Sequence, residues 1–216
     1  MKKYNLLDLF CGAGGASMGY HRAGFEVVGV DTKPQPHYPF EFHQADALTY
    51  PLEGFDAYHA SPPCQKFTKK NANWGRKRVN IIEYSDCLTP IRERLITLSQ
   101  PYVIENVNGS PLNGIVMLCG TMFGLKIIKH RFFEINFNMP LFAPRVCNHK
   151  GVYNPWQGKG RTTKKFQEAE GINWMPVGGG ASRKMGYTGD LSNAIPPAHT
   201  EYIGKYLMEY LRGLEE

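Results

Sequence analysis

The sequence has few cysteines and no long apolar run, and both deficits exclude classes of protein. Its 216 residues include five cysteines, which are widely spread and form no CxxC pair. An odd number of scattered thiols predicts neither a disulfide framework nor a zinc site, and it is typical of a reducing compartment. The longest uncharged stretch, 107–125, contains Pro111 and four glycines, so it predicts no membrane span. We therefore expect a soluble cytoplasmic protein with no membrane partner.

Internal repeats and low-complexity tracts are also absent, and the composition is that of a globular protein. Hydrophobic residues make up 42% of the chain and charged residues 20%, a balance that excludes a wholly disordered protein. Lysine and arginine outnumber aspartate and glutamate by 25 to 19, which gives a formal net charge of +6. This excess weakly favours a polyanionic partner.

The basic residues are concentrated in two irregular stretches without acidic residues, 61–80 and 145–165. Twelve of the 25 basic residues lie in these stretches, and Trp74, Tyr153 and Trp156 are interleaved with them. Cations beside aromatic rings favour a nucleic-acid interface, because cations bind the phosphates and rings stack on bases. Two solvated loops are the alternative interpretation.

Along the first part of the chain, short apolar runs alternate with segments whose apolar residues have the spacing of a helix. The run 5–10 ends in a glycine-rich turn, 11–15, which is followed by a helix and by an apolar run that ends at Asp31. This order is typical of the opening of a doubly wound α/β sheet that binds a nucleotide. Further strands are predicted at 41–44, 55–60, 102–106 and 131–137, and helices at 16–23, 84–100 and 198–211.

The periodic pattern is lost over residues 138–189, where glycine, proline, asparagine and lysine dominate. We interpret this segment as a small loop-rich insert and not as a second core. Residues 1–137 and 190–216 then form one domain, and the insert is a reduced target-recognition element.

Reactive side chains follow several predicted strands, at the sheet edge where such folds bind ligands. Asp31 and Asp46 come after the second and third strands, where carboxylates could bind ribose hydroxyls and an adenine amine. Two prolines fix the backbone before Cys64, whose thiol could act as a nucleophile near basic side chains. Glu105 ends a neighbouring strand, and its carboxylic acid could protonate a ring bound between it and the thiol.

The sequence resembles the cytosine-5 DNA methyltransferases, which use S-adenosylmethionine, and in particular their short phage-encoded members. The matching segments are collinear: the cofactor motif DLFCGAGG at 8–15, the nucleophile motif PCQ at 63–65, the acid motif ENV at 105–107, the end of the arginine motif at 130–131 and the closing motif NAIP at 193–196. The resemblance implies a Rossmann-like class I methyltransferase sheet. It also implies the cytoplasm of a bacterium or of a phage-infected host as the location.

The same resemblance implies a mechanism that needs no metal. Cys64 would add to carbon 6 of a flipped-out cytosine, Glu105 would hold the ring at nitrogen 3, and Arg131 would contact O2. Carbon 5 would then take the methyl group of S-adenosylmethionine. The implied cofactor contacts are Phe10, Gly12, Gly14, Asp31, Asp46, Pro63 and Asn193. Together with the basic stretches, the implied nucleic-acid contacts are Gln65, Lys66, Lys69, Lys70, Arg76, Lys129, Lys159, Arg161, Lys164 and Lys165.

Three features depart from the family's pattern. Ile127 and Lys129 stand where the arginine motif usually has glutamine and arginine, and lysine keeps the charge without the planar guanidinium fork. Ser192 precedes the closing motif, where glycine is usual. Typical members also carry a larger recognition domain than residues 138–189, so we expect a short target site.

Two other functions stay open beside a DNA methyltransferase. One is an RNA cytosine-5 methyltransferase similar to the tRNA-directed branch of the family, because a reduced insert suits a substrate recognised by shape. The other is a catalytically silent nucleic-acid-binding protein of the same fold. The presence of Cys64, Glu105 and Arg131 argues against the silent protein, because binding alone needs none of the three.

Few residues in the sequence bear on whether the protein binds a metal or forms an oligomer. Cys147 and His149 are metal-ligand types two positions apart, but two ligands without partners do not make a site, so no metal is predicted. We expect a monomer that binds DNA. A partner subunit is the alternative source of target recognition.

Overall fold

Seven strands form one sheet in the part of the chain that the structure, a computed structural model, describes. The described residues are 2–67, 85–139, 145–152, 163–175, 191 and 193–215. The strands are β1 (Asn5–Leu9), β2 (Glu26–Asp31), β3 (Glu41–Gln44), β4 (Ala57–Ala60), β5 (Tyr102–Asn106), β6 (Val116–Cys119) and β7 (His130–Ile135). The helices are α1 (Gly15–Ala23), α2 (Leu88–Ile96), α3 (Thr163–Glu170) and α4 (Pro197–Gly213), and a 3-10 helix spans Gly120–Phe123. None of these helices combines the length and the apolar character needed to span a bilayer.

The strand order in the sheet is β3-β2-β1-β4-β5-β7-β6. The first five strands are mutually parallel, and β7 is antiparallel to both of its neighbours, β5 and β6. The direction of the strand order reverses at β1, and ligands of open α/β sheets bind at the carboxyl ends of the strands beside such a reversal. The prediction of a doubly wound α/β sheet is confirmed.

The contact between α1 and α4 on one face of this sheet explains a glycine in the middle of a helix. A Cβ atom on Gly19 would lie 2.0 Å from Oγ1 of Thr200 and 2.3 Å from the carbonyl oxygen of Pro197. The Thr200 hydroxyl in turn donates a hydrogen bond of 2.8 Å to the carbonyl oxygen of Ala16. The two helices therefore approach closely.

Several predicted elements have shifted bounds in the structure, and some elements, among them β6 and α3, were not predicted. The sequence predicts a helix over 84–100, whereas α2 begins at Leu88 because the Asp86 carboxylate accepts hydrogen bonds from the backbone N–H groups of Leu88 and Thr89, at 3.0 and 3.2 Å. The strand predicted at 131–137 is β7, which begins and ends earlier. Neither β6 nor α3 has a periodic pattern long enough to predict it.

The described part of the insert packs against the rest of the protein. Phe166, Ile172 and Met175 join Ala13 and Ile127 in one buried apolar cluster. This part of the insert is therefore anchored beside the glycine-rich turn. The division at 138–189 stays a prediction.

The buried carboxyl of Asp8 predicts a pH-dependent stability. Burial raises the pKa of Asp8 from 3.8 to about 7. The Ser17 hydroxyl donates to Oδ2, and Oδ1 has no hydrogen-bond partner among the described residues. Between about pH 4 and 7, Asp8 keeps its proton in the folded protein and loses it in the unfolded chain. This group's contribution to the free energy of unfolding should therefore fall as the pH rises, by up to about 1.4 kcal/mol per pH unit.

An Asp8→Asn variant isolates this contribution, because asparagine has a similar shape and does not titrate. We expect the wild-type free energy of unfolding, minus that of the variant, to fall between about pH 4 and 7 and to level off above that range. Urea unfolding of both proteins at a series of pH values measures the difference. A difference that does not vary with pH would contradict a protonated, buried Asp8.

Candidate active site

A cavity of about 310 Å³ opens at the carboxyl ends of β1, β2, β4 and β5. Its volume lies within the range of small-molecule sites, about 300–1,000 Å³. The sequence-predicted site residues that line it are Phe10, Gly12, Asp31, Pro63, Cys64, Gln65, Glu105, Arg131 and Asn193. The structure thus brings all three predicted catalytic residues and five of the seven predicted cofactor contacts to one cavity.

The turn after β1 forms one wall of the cavity. Phe10 has a φ of 60°, in the left-handed region that residues other than glycine rarely adopt, and Gly12 has a φ of 50°. A Cβ atom on Gly12 would meet no described atom within 4 Å, so the space beside its backbone is open. Asp31 accepts hydrogen bonds from the backbone N–H groups of Gly12, at 3.1 Å, and Lys33, at 3.0 Å. These bonds fix the carboxylate at the cavity wall and leave lone pairs on both oxygens.

Gly14 and Asp46 are predicted cofactor contacts that do not line the cavity. A Cβ atom on Gly14 would lie 2.9 Å from Cδ of Pro39 and 3.0 Å from the Tyr38 ring, so this glycine allows close packing. The carboxylate of Asp46 accepts a 2.9 Å hydrogen bond from the backbone N–H of Leu48 and closes its own turn after β3. Both residues therefore have local structural explanations.

Two thiols line the cavity, and they differ in accessibility. Cys11 is buried, and this burial, reinforced by nearby carboxylates, raises the pKa of its thiol. Cys64 is half-buried on the loop that follows β4. The Asn106 side-chain amide donates a 3.0 Å hydrogen bond to the carbonyl oxygen of Pro62, which fastens that loop to the end of β5. Cys64 is therefore the more accessible of the two thiols that line the cavity.

Glu105 and Arg131 form an ion pair in the cavity wall, with 3.1 Å between Oε1 and Nε. Burial raises the pKa of Glu105 despite the opposing effects of the Arg131 charge and of a hydrogen bond with Ser61. The Ser61 hydroxyl also lies 2.8 Å from Nε2 of His59, whose Nδ1 is 2.9 Å from the Tyr20 hydroxyl. A chain of hydrogen-bonded side chains thus extends from Tyr20 in the core to the carboxyl group of Glu105. A carboxyl with a raised pKa keeps its proton closer to neutral pH, so it is suited to act as an acid.

Several cavity residues were missed by the sequence reasoning. Lys33 follows Asp31 by two positions, and Ser61 directly precedes the two prolines, so proximity to a recognised motif could have indicated both. Met175 also lines the cavity, and the neighbouring Trp174 donates a 2.9 Å hydrogen bond from Nε1 to the carbonyl oxygen of Ala13. No local signal predicts this contact, because it depends on how residues 163–175 pack.

Lys129 lies in the interior, with only 4% of its surface exposed. Its ammonium is 2.5 Å from Oε1 of Glu170, in α3, and 3.3 Å from the carbonyl oxygen of Leu191. This geometry argues against the assignment of Lys129 to nucleic-acid contact, because the ammonium is buried and already paired. The pair instead ties α3 to the residue that precedes β7.

The buried Lys129–Glu170 pair predicts a large loss of stability when one partner is neutralised. Glu170→Gln leaves a buried ammonium without its counter-charge, which typically costs about 3–5 kcal/mol. We expect a loss of that order in the free energy of unfolding, measured by urea titration. The double variant Lys129→Met/Glu170→Leu should regain most of it, because it buries no charge.

The exposed pair Lys205–Glu201 on α4, at 2.8 Å, provides the control. Glu201→Gln removes a counter-charge in the same way, but water screens that pair, so its cost should be below about 1 kcal/mol. Equal losses in Glu170→Gln and Glu201→Gln would contradict a stabilising role for the buried pair.

The other predicted nucleic-acid contacts are only partly described. Lys66 is exposed and pairs with Asp86 at 2.9 Å. Lys164 and Lys165 are exposed on α3. The remaining predicted contacts, Lys69, Lys70, Arg76, Lys159 and Arg161, lie outside the described residues.

Comparison with known proteins identifies the fold. No family model matches the chain, and no curated protein matches it either. The structure is similar to that of the methyltransferase EhMeth of Entamoeba histolytica, with a TM-score of 0.50, 13% sequence identity and coverage of 100% of both chains.

Two further solved structures have lower scores. DNMT2 of Spodoptera frugiperda, determined as a mutant, has a TM-score of 0.49 and 18% identity, over 69% of this chain and 57% of that one. A candidate DNA modification methyltransferase encoded within an E. coli prophage has a TM-score of 0.46 and 21% identity, over 62% of this chain and 46% of that one. This chain therefore spans about half the length of those two proteins. The full-length similarity to EhMeth, together with the strand order, shows that the chain has the class I methyltransferase fold.

Proposed function

We propose that the protein is a DNA (cytosine-5-)-methyltransferase that uses S-adenosylmethionine. The observation that carries this proposal is the single cavity that joins the glycine-rich turn and Asp31 to Cys64 and to the Glu105–Arg131 pair. A site for a nucleoside-like group thus adjoins a thiol and a buried acid. Methyl transfer to a pyrimidine ring uses all of these groups.

The residues of the first wall fit S-adenosylmethionine, which supplies an electrophilic methyl group when bound. The open space at Gly12 allows a ligand to approach the backbone closely. The free lone pairs of the Asp31 carboxylate suit two ribose hydroxyls. Phe10 and Asn193 line the same cavity from the turn after β1 and from the segment before α4, and they would enclose the ligand.

Cys64 and Glu105 would act together on the cytosine ring. The Cys64 sulfur forms a bond to carbon 6, and the ring electrons shift to make carbon 5 nucleophilic. Glu105 donates a proton to nitrogen 3 during this addition, which offsets the developing negative charge. Carbon 5 then accepts the methyl group and loses its own proton to a solvent base. The carbon 5–carbon 6 double bond re-forms, Cys64 leaves as a thiolate, and nitrogen 3 returns its proton to Glu105.

Arg131 would hold Glu105 in place and contact O2 of the base. Its Nε lies 3.1 Å from the carboxylate, and both side chains line the cavity. A stacked cytosine in a duplex cannot reach this buried acid, so the base must rotate out of the helix. The basic stretch that follows Cys64 and the exposed lysines of α3 would bind the DNA backbone of the flipped site. We propose that the DNA is bound by a monomer.

A duplex that carries 5-fluorocytosine at the target position tests the proposal. Fluorine replaces the proton that carbon 5 must lose, so the adduct with Cys64 cannot break down and is retained on a denaturing gel. We expect a shifted band that requires S-adenosylmethionine and is absent with Cys64→Ala. The matched variant Cys87→Ala changes a half-buried thiol outside the cavity and should form the adduct normally.

The same gel separates the RNA alternative, which the short insert 138–189 also suits. An adduct on 5-fluorocytosine tRNA, and none on DNA, would replace the proposed substrate with RNA. A protein that binds S-adenosylmethionine but forms no adduct on either nucleic acid would refute the proposed reaction.

A further inference from the structure

Four metal-ligand side chains meet at the β6–β7 edge of the sheet: Cys119, His130, Cys147 and His149. Their ligand atoms all lie within 4.8 Å of one another. Nε2 of His149 is 2.8 Å from Sγ of Cys147 and 3.6 Å from Sγ of Cys119. Nε2 of His130 is 3.4 Å from Sγ of Cys147. None of the four lines the candidate active site, so they form a separate cluster.

We propose that this cluster binds one zinc ion, through the two thiolates and through Nε2 of each histidine. Two sulfurs and two imidazole nitrogens in a tetrahedral arrangement are a donor set that Zn²⁺ prefers. With Zn–S near 2.3 Å and Zn–N near 2.1 Å, a tetrahedron has sulfur–nitrogen edges of about 3.6 Å. The observed separations of 3.6 and 3.4 Å match this edge, and the third, 2.8 Å, is shorter. The side chains are therefore arranged around a space of the right size.

The sheet fixes two of the four ligands before any metal binds. Antiparallel pairing of β6 with β7 places Cys119 directly opposite His130. The sequence predicts no metal because Cys147 and His149 have no partner nearby in the chain, whereas this strand register supplies two. Thr121 adds a second layer, because its hydroxyl lies 3.3 Å from Sγ of Cys119 and 3.6 Å from Sγ of Cys147. A hydroxyl donor at that place stabilises a metal-bound thiolate.

The zinc ion would be structural, and it would anchor the first part of the insert. Segment 145–152 contains no helix, no strand and no fully buried residue, and the half-buried Cys147 is a side chain through which it contacts the apolar core. Val146, which lies between Arg145 and Cys147, has 89% of its surface exposed. Four protein ligands complete a tetrahedron and leave no open position for substrate. Metal binding would supply the stability that this segment lacks in apolar contacts.

Zinc content of the full chain, purified without a histidine tag from zinc-supplemented medium, tests the site. We expect about one zinc ion per chain by mass spectrometry after desalting. Cys147→Ser and His149→Asn should each lower the content at least about tenfold, because each removes a ligand. His149 is exposed, so its replacement leaves the packed core intact. The matched variants Cys87→Ser and His37→Asn lie outside the cluster and should keep the wild-type zinc content.

Two measurements on the wild-type chain do not depend on how the variants fold. Replacement of zinc by Co²⁺ should give the visible absorption of a tetrahedral ion and a thiolate charge-transfer band. Chelation should speed tryptic cleavage after Lys150, which lies next to His149. Wild-type protein that holds neither zinc nor tetrahedral Co²⁺ would overturn the proposal, as would Cys147→Ser that keeps its zinc. None of these measurements requires methyl transfer, so they leave the proposed enzymatic function to its own test.

Discussion

Cys64→Ser is expected to reduce methyl transfer by more than about 10³-fold, as the loss of a nucleophile does in other covalent enzymes. Serine has a similar size, but its hydroxyl is scarcely ionised at neutral pH and adds poorly to carbon 6 of cytosine. The glycine-rich turn and Asp31 are unchanged, so S-adenosylmethionine should bind with nearly the wild-type affinity. A single-turnover assay with a radiolabelled methyl group measures transfer, and calorimetry measures cofactor binding.

Two other cysteine variants make this result specific. Cys87→Ser makes the same chemical change outside the cavity and should transfer the methyl group at the wild-type rate. Cys11→Ser tests the second thiol in the cavity wall, whose pKa is raised by burial. If Cys11→Ser abolished the covalent adduct and Cys64→Ser preserved it, the nucleophile would be Cys11.

The sheet and the centre of the candidate site could be predicted because both depend on local sequence. Parallel strands are buried on both faces, so β1 and β5 each contain a short apolar run, Leu6–Leu7 and Tyr102–Ile104, that short-range patterns reveal. Cys64 and Glu105 lie just after or at the end of such runs. The fold then brings them to the same sheet edge, where the structure has the cavity.

The features that were missed depend on contacts between residues distant in sequence. Strand β6 lies within the uncharged stretch 107–125, which contains Pro111 and four glycines, and it forms by pairing with β7, which is distant from any local signal. The burial of Lys129 depends on its ion pair with Glu170, which lies 41 residues later in the chain. The cluster around Cys119 and His130 follows from the register of two antiparallel strands, which the sequence does not specify locally. A local pattern can also mislead. Asp46 follows a strand and was predicted to contact a cofactor, whereas its carboxylate closes its own turn.

Glu105→Gln should slow methyl transfer by about 10²–10⁴-fold, the usual contribution of a positioned acid. Glutamine keeps the shape of the side chain and can still contact the ring, but its amide cannot deliver a proton to nitrogen 3. In the wild-type protein, Nε of Arg131 lies 3.1 Å from Oε1 of Glu105, and the change removes this counter-charge. Cofactor binding is therefore measured beside the rate, and it should change little because Glu105 belongs to the other wall of the cavity. Glu93→Gln, on the exposed side of α2, provides the matched control.

The pH dependence of the rate distinguishes an acid from a structural partner of Arg131. Burial raises the pKa of Glu105, and only the protonated carboxyl can donate. The wild-type rate should therefore decline as the pH rises through that raised pKa, and the Glu105→Gln variant should lack this decline. A variant that is slow but keeps the wild-type pH profile would mean that Glu105 only positions Arg131. An unchanged rate would mean that solvent supplies the proton to the ring.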